Sequence, residues 1–260
     1  MVLGIEYAAR GGIGEIVLDT RDPDHRLTEE VLRHLVSLAR DIAADAAVHV
    51  VTIAGAGSEC FSTGLLTPQI KAALSKDGVL ALVRLANEVC DAFDALPQLT
   101  IAGINGRIRA GAVELAIACD MRVAAEHATL AMPEAKWGGF PGAGGPVRLP
   151  ALVGRAAALD LICTGREIGA DEMARIGLVQ RVFARDTFHA GLRALAESIA
   201  ENGPQAIRGA KKIARVRTEP AYRAARELSD ALRSAFEWTA DADEGIAAHV
   251  AGRKPVFTGR

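Results

Sequence analysis

The chain is poor in the features that mark most specialised protein classes. No apolar stretch runs the ~18–20 charge-free residues that a membrane span needs, although half of the residues are hydrophobic. The four cysteines (Cys60, Cys90, Cys119 and Cys163) stand far apart with no CxxC pair. That spacing argues against a disulfide framework or a structural zinc and fits reduced thiols in the cytoplasm. Six scattered histidines include no HExxH or comparable ligand spacing, so no metal or other cofactor is expected. Aromatic residues make up 4% of the chain and the formal net charge is −2, which supplies neither base-stacking platforms nor an electrostatic pull toward nucleic acid or anionic membrane. The opening MVLGIEYAARGG carries Glu6 and no apolar run before a cleavage site, so it does not read as a secretory signal. GxxxxGK[ST] and GxSxG motifs are both missing, which removes the usual marks of nucleotide hydrolysis and serine hydrolases.

What is present is an alternation of strand-like and helix-like segments. Ile5 to Arg10 and Gly14 to Asp19 read as two strands joined at Gly11–Gly12. Thr28 is a good N-cap for a helix through Ala44, and His49 to Gly57 reads as a buried strand. Val79 to Pro97 reads as a helix stopped by proline, and Leu99 to Gly106 as another buried strand before the helix of AGAVELAIACD. Short strands within CDMRVAAEHATLAMPE precede helical segments in PGAGGPVRLPALVG and GRAAALDLICTG. This order predicts an α/β architecture with largely parallel pairing. From Phe188 to Val250 the pattern is almost wholly helical, with breaks expected at Gly203–Pro204, Glu219–Pro220 and Ala240–Asp241. We therefore expect an α/β core over residues 1–200 and a helical segment over 201–260, whose apolar faces need the core or a second subunit to cover them.

Two glutamates sit where a carboxylate has no easy structural role. Glu114 interrupts the apolar run Ala110 to Asp120, and Glu134 follows a proline just before the glycine-rich GGFPGAGG. A lone carboxylate in such surroundings must be paired, be neutralised or reach a wet pocket. Two of them beside glycine-rich backbone suggest acid–base chemistry next to a site that holds an oxyanion on backbone amides. VVTIAGAGSEC offers only a fragment of a dinucleotide fingerprint, without the third glycine; the next acidic residue, Asp77, reads as part of a loop. The basic pairs Arg107/Arg109, Lys211/Lys212 and Arg253/Lys254 read as solvated surface.

Taken together, GAGSECFSTGLL, INGRIRAGAVELAIACD and MPEAKWGGFPGAGGPVRLP resemble the enoyl-CoA hydratase/isomerase (crotonase) family, and the ending EGIAAHVAGRKPVF looks like that family's C-terminus. The resemblance implies a spiral of repeated β-β-α units with a helical C-terminal segment that serves oligomerisation and covers the active site. It implies an acyl-CoA thioester substrate whose coenzyme A is part of the substrate, no separate cofactor, a place in fatty-acid metabolism and a homotrimer or dimer of trimers. The thioester oxygen would sit on the backbone N–H groups of Leu65 and Gly111, with Glu114 and Glu134 as the catalytic carboxylates of a hydratase. Arg26, Leu66, Trp137 and Lys254 are the further candidate substrate-binding residues, Arg26 and Lys254 for the coenzyme A phosphates. Leu65, Leu66, Ala110, Ala112 and Trp137 imply a tight apolar pocket for short or medium uncharged chains; Arg109 facing the acyl end would instead select a carboxylated one. The chain departs from the family in Ala110–Gly111–Ala112 where three glycines are common, and in Leu66 where an aspartate is usual. A double-bond isomerase, another acyl-CoA lyase and a non-catalytic acyl-CoA-binding or assembly protein stay open as alternatives.

Overall fold

A computed structural model of the chain describes residues 4–256. Met1 to Leu3 of the opening segment and Phe257 of the family-like ending lie outside the described residues. Strands β1 (Ile5–Arg10) and β2 (Ile13–Leu18) form the expected hairpin about Gly11 and Gly12, both at positive φ. Helix α1 (Glu29–Ala44) starts at the Thr28 cap, whose side chain accepts from the Val31 N–H. Then follow β3 (Val50–Gly55), β4 (Cys60–Ser62), α2 (Pro68–Ala72) and α3 (Lys76–Ala95). Next come β5 (Leu99–Ile104), β6 (Arg107–Arg109) and α4 (Gly111–Ala118). Strands β7 (Met121–Ala125) and β8 (Thr129–Ala131) lead into a 3₁₀ turn (Pro133–Trp137), α5 (Gly145–Val153) and α6 (Arg155–Thr164). The remaining elements are β9 (Ile168–Gly169), α7 (Ala170–Arg175), β10 (Arg181–Phe183), α8 (Phe188–Ala200), α9 (Pro204–Glu237) and α10 (Ala240–Val250).

The strands divide between two sheets, alternating from β3 to β8. The larger runs β1-β2-β3-β5-β7-β10 and the smaller β4-β6-β8-β9. From β3 to β8, each turn of chain adds one strand to the large sheet, one to the small sheet, and then helix; in the last turn β9 of the small sheet precedes β10 of the large one. Pairings β3–β5, β5–β7, β4–β6 and β6–β8 are all parallel, so successive turns stack with the same sense. The result is the β-β-α spiral, with β1 and β9 as its antiparallel edges. Parallel stacking brings the C-terminal ends of β4, β6 and β8 side by side. Helix α8 covers the large sheet at Gly103, where a side chain would collide with Leu192 and Phe188.

Several sequence expectations are corrected. β4 and β6 fall outside the strands expected from the sequence, because three-residue strands are too short to show alternation. α3 begins three residues earlier than the apolar periodicity suggested, capped by Ser75, and this places Asp77 in its first turn rather than in a loop. α9 runs unbroken through Pro220. Proline removes one intrahelical hydrogen bond, at about 3 kcal/mol, and this long helix is carried across that position by packing on α3, α5 and β5. Lys211 is not solvated: it is 7% exposed, with its ammonium 2.6 Å from Asp120 and donating to the Gln98 carbonyl. No helix among the described residues is long and apolar enough to cross a membrane.

Helix α10 docks on the 3₁₀ turn with almost no side chain between the two backbones. A methyl group on Gly245 would overlap the Trp137 carbonyl, and one on Gly138 the Asp241 carbonyl. Overpacking of this kind costs about 1–3 kcal/mol, and at this chain length each kcal/mol lowers the melting midpoint by about 2–4 °C. Gly245→Ala is therefore expected to lower the thermal midpoint by about 2–10 °C, read by calorimetry; an unchanged midpoint would mean that α10 does not depend on this close approach.

Candidate active site

Three consecutive turns of the spiral each deliver one piece of the site, immediately after a strand of the small sheet. After β4 comes the turn Thr63–Leu65. It is clamped to the preceding loop: Thr63 N donates to the Asp24 carbonyl, Ser62 Oγ to the His25 carbonyl, and Leu27 N to the Gly64 carbonyl. Gly64 lies at φ +85°, and a Cβ there would stand 2.9 Å from the Gly111 nitrogen. Glycine satisfies both the conformation and the contact.

After β6 comes Ala110, a non-glycine residue at φ 51°, tied down by its N–H on the Ala131 carbonyl. Such a conformation costs about 1–3 kcal/mol and is held by its surroundings. It turns the chain into α4, which is buried on every side and carries Glu114 in its first turn. A methyl on Gly111 would lie 3.8 Å from the Leu65 nitrogen and 3.9 Å from Glu114 Oε2. The two amides and the carboxylate thus converge, and among the described residues neither the Leu65 nor the Gly111 N–H has an acceptor.

After β8 comes the 3₁₀ turn with Glu134, whose carbonyl accepts from Gly139 N at 2.8 Å. Glu114 and Glu134 face one small cavity of about 50 Å³, walled also by Leu27, Leu65, Leu66 and Trp137. That volume holds a few water molecules, one needing about 10–15 Å³.

The two carboxyl groups differ in their support. Glu114 is 3% exposed, and its Oε1 accepts from the N–H groups of Ala143 and Gly145, both at 2.8 Å. A Cβ at residue 145 would come within 3.0 Å of that oxygen, so glycine is needed there. The loop is itself held: Asn87 Nδ2 donates to the Gly142 carbonyl at 2.6 Å, and Arg148 to the Ala143 carbonyl at 3.2 Å. Burial raises the Glu114 pKa, opposed by the two amides and by the charges of Arg148 and Arg233. Glu134 is part-exposed as a residue, yet its Oε2 is buried and has no partner among the described residues. Burial first, and then the charge of Glu114, push its pKa up to about 8. At neutral pH the pair therefore holds a proton, and the environment favours Glu134 as its place.

Leu66 and Trp137 line the cavity as expected, and so do Leu65 and Ala110, whereas Ala112 does not. Arg109 faces neither the acyl space nor open solvent: it donates to the Thr129 carbonyl and hydroxyl and pairs with Glu167. Arg107 pairs with Asp24. Arg26 is half-exposed and paired with Asp22, and Lys254 is exposed beyond α10; neither lines the cavity. Sequence reading missed Lys71 and Arg233, which do line it and are joined through Glu237. Arg233 and Glu237 are four residues apart on α9, a spacing shared by countless exposed helix pairs, and only the fold reveals that this face is buried.

A buried carboxyl dyad beside two convergent backbone amides has the groups that acid–base chemistry on a substrate whose oxygen gains negative charge would need. The enoyl-CoA hydratase/isomerase family model matches residues 8–260, and the chain belongs to that family. A carnitinyl-CoA dehydratase from Escherichia coli K12 is 32% identical, with 98% of each chain covered. The solved enoyl-CoA hydratase of Bacillus anthracis is 32% identical over the whole of both chains, with a TM-score of 0.79. That of Mycobacterium avium subsp. paratuberculosis is 26% identical, with a TM-score of 0.87 over 99% of this chain and all of the other. The fold is accordingly that of the crotonase superfamily.

The raised Glu134 pKa has a consequence for stability. Between the ordinary 4.5 and about 8, the unfolded chain releases this proton while the folded chain keeps it. Folding is then favoured most below that window and loses stability as pH rises through it. Glu134→Gln is expected to flatten the fall in thermal midpoint between pH 5 and pH 8; an unchanged slope would show that Glu134 does not titrate there.

Proposed function

We propose that the protein is an enoyl-CoA hydratase, adding water reversibly across the 2,3 double bond of an enoyl-CoA thioester. The observation that carries this reading is the asymmetry of the dyad: one carboxyl group fixed by two amides of the following loop, the other with its Oε2 unpartnered among the described residues and proton-retaining, both on one small cavity. The thioester oxygen accepts from the Leu65 and Gly111 N–H groups. Glu114, the better-supported anion, takes a proton from water as its oxygen bonds to C3. The π electrons shift toward the thioester oxygen, where the two amides stabilise the enolate-like charge. Glu134 then gives its proton to C2. The pair ends with the proton on Glu114 and the charge on Glu134, and one proton transfer between these coupled groups resets it. Dehydration is the same path reversed. Coenzyme A arrives and leaves with the substrate, and the residues named here require no other cofactor.

Each carboxyl group contributes general acid–base assistance of about 10²–10⁴-fold. Glu114→Gln and Glu134→Gln are each expected to lower kcat on a short enoyl-CoA by at least about a hundredfold at similar KM, followed by loss of the conjugated thioester absorbance. Full activity in Glu114→Gln would favour a one-base isomerase. Parent and variants that bind acyl-CoA yet are equally inert would favour a non-catalytic binding protein.

We also propose assembly as a homotrimer or a dimer of trimers. Besides the family resemblance, Ile213 and Trp238, on and just beyond α9, are 74% and 59% exposed among the described residues, and a second subunit would cover such apolar surface. Sedimentation should give a trimer or its double; a stable monomer at micromolar concentration would overturn this assignment.

A further inference from the structure

The wall of the catalytic cavity is not wholly apolar. Lys71 from α2 and Arg233 from α9 both line it, and both share a single counter-ion, Glu237. Lys71 Nζ stands 3.2 Å and Arg233 Nη1 2.6 Å from the same oxygen, Glu237 Oε2. The side chains of all three are at most 7% exposed. Two buried cations therefore share one carboxylate oxygen. Acceptors are short as well: Arg233 Nε is buried and has no partner among the described residues. Room for this arginine is provided for, since its Cδ and Cγ lie where a Cβ on residue 142 would stand, at 2.8 and 2.9 Å, and that residue is glycine. A buried guanidinium with an unused donor in a substrate cavity is a site for an anionic acceptor of planar geometry.

We propose that Arg233, supported by Lys71, receives a carboxylate on the acyl chain, so that the preferred substrate is a short enoyl-CoA bearing a terminal carboxyl group. The chain is short because Arg233 shares one small cavity with Glu114 and Glu134. Such a substrate supplies the acceptor that Arg233 Nε lacks, whereas an alkyl end leaves that donor buried and unmet. This inference rests on the acyl-CoA reading given above. It replaces the expectation of an uncharged chain, and it moves charge selection from Arg109, which is engaged elsewhere, to Arg233.

The test compares a five-carbon trans-2-enoyl-CoA carrying a terminal carboxylate with its uncharged five-carbon analogue. The parent protein is expected to favour the carboxylated thioester by at least about tenfold in kcat/KM, because a site built to bond a polar group discriminates against the analogue that lacks it. Arg233→Met should reduce that ratio by at least about tenfold, chiefly through KM for the charged substrate, and Arg233→Lys should restore part of it. The double variant Arg233→Met/Glu237→Gln removes the carboxylate charge left without its arginine partner, and should show the same collapse of preference. A parent ratio at or below one overturns the proposal, and so does an Arg233→Met variant that loses both activities equally. Calorimetric binding of the two saturated five-carbon thioesters separates this proposal from the hydratase reading. Arg233-dependent preference for the carboxylated thioester without turnover keeps the anion site and removes the hydratase. Turnover of both enoyl thioesters with no preference keeps the hydratase and removes the anion site.

Discussion

The paired hydrogen bonds from Ala143 and Gly145 to a single oxygen of Glu114 are the constraint on which the rest of the site depends. They place a carboxylate in the middle of a helix whose other described neighbours are Ala, Val, Leu and Ile, where an unsupported charge would cost several kcal/mol. Meeting that cost fixes the shape of the following loop. Residue 145 has to be glycine for the oxygen to approach, Asn87 has to hold the Gly142 carbonyl, and Arg148 has to hold that of Ala143. The two glutamates are chemically identical. Two loop amides on one oxygen of Glu114, against an unpartnered Oε2 on Glu134, favour the proton on Glu134.

The spiral explains how such distant residues meet. Leu65, Gly111 and Glu134 are far apart in sequence, yet each follows a strand of the small sheet by a few residues, and those three strands are parallel neighbours. Every parallel return brings the chain back to the same edge, in the manner by which open α/β sheets assemble sites beyond the carboxyl ends of their strands. The close packing of Gly64 against the start of α4 then sets two amides side by side, and the strained Ala110 is held there by its bond to the next strand of that sheet.

Much of this was legible in the sequence, for reasons that can be named. Glu114 and Glu134 stood out because carboxylates among apolar and glycine-rich residues conflict with burial unless something answers them. The long buried strands and the caps at Thr28 and Pro97 carried strong local signals. β4 and β6 did not, since their identity comes from pairing with β8 and not from three residues of pattern. Pro220 was read as a break because local cost is visible in sequence, whereas the packing that carries α9 past it is not. Lys211 and Arg233 were missed for one shared reason. A basic residue on an amphipathic helix reads as solvated, and only its tertiary partners, Asp120 in one case and Glu237 in the other, show that it is buried.

The C-terminal helices make the site's electrostatics a property of more than the spiral core. Arg233 on α9 acts on both glutamates by lowering their pKa values, yet for each of them burial is the larger influence and the net direction is upward. The cover therefore has two opposed effects: excluding solvent raises the carboxyl groups toward protonation, while the cation it carries holds that rise in check. An apolar residue in place of Arg233 would leave only the first effect and would leave Glu237 paired with Lys71 alone, whose own pKa is already lowered chiefly by burial. Closing the pocket and poising the dyad are thus physically one task, carried out by the same turn of α9.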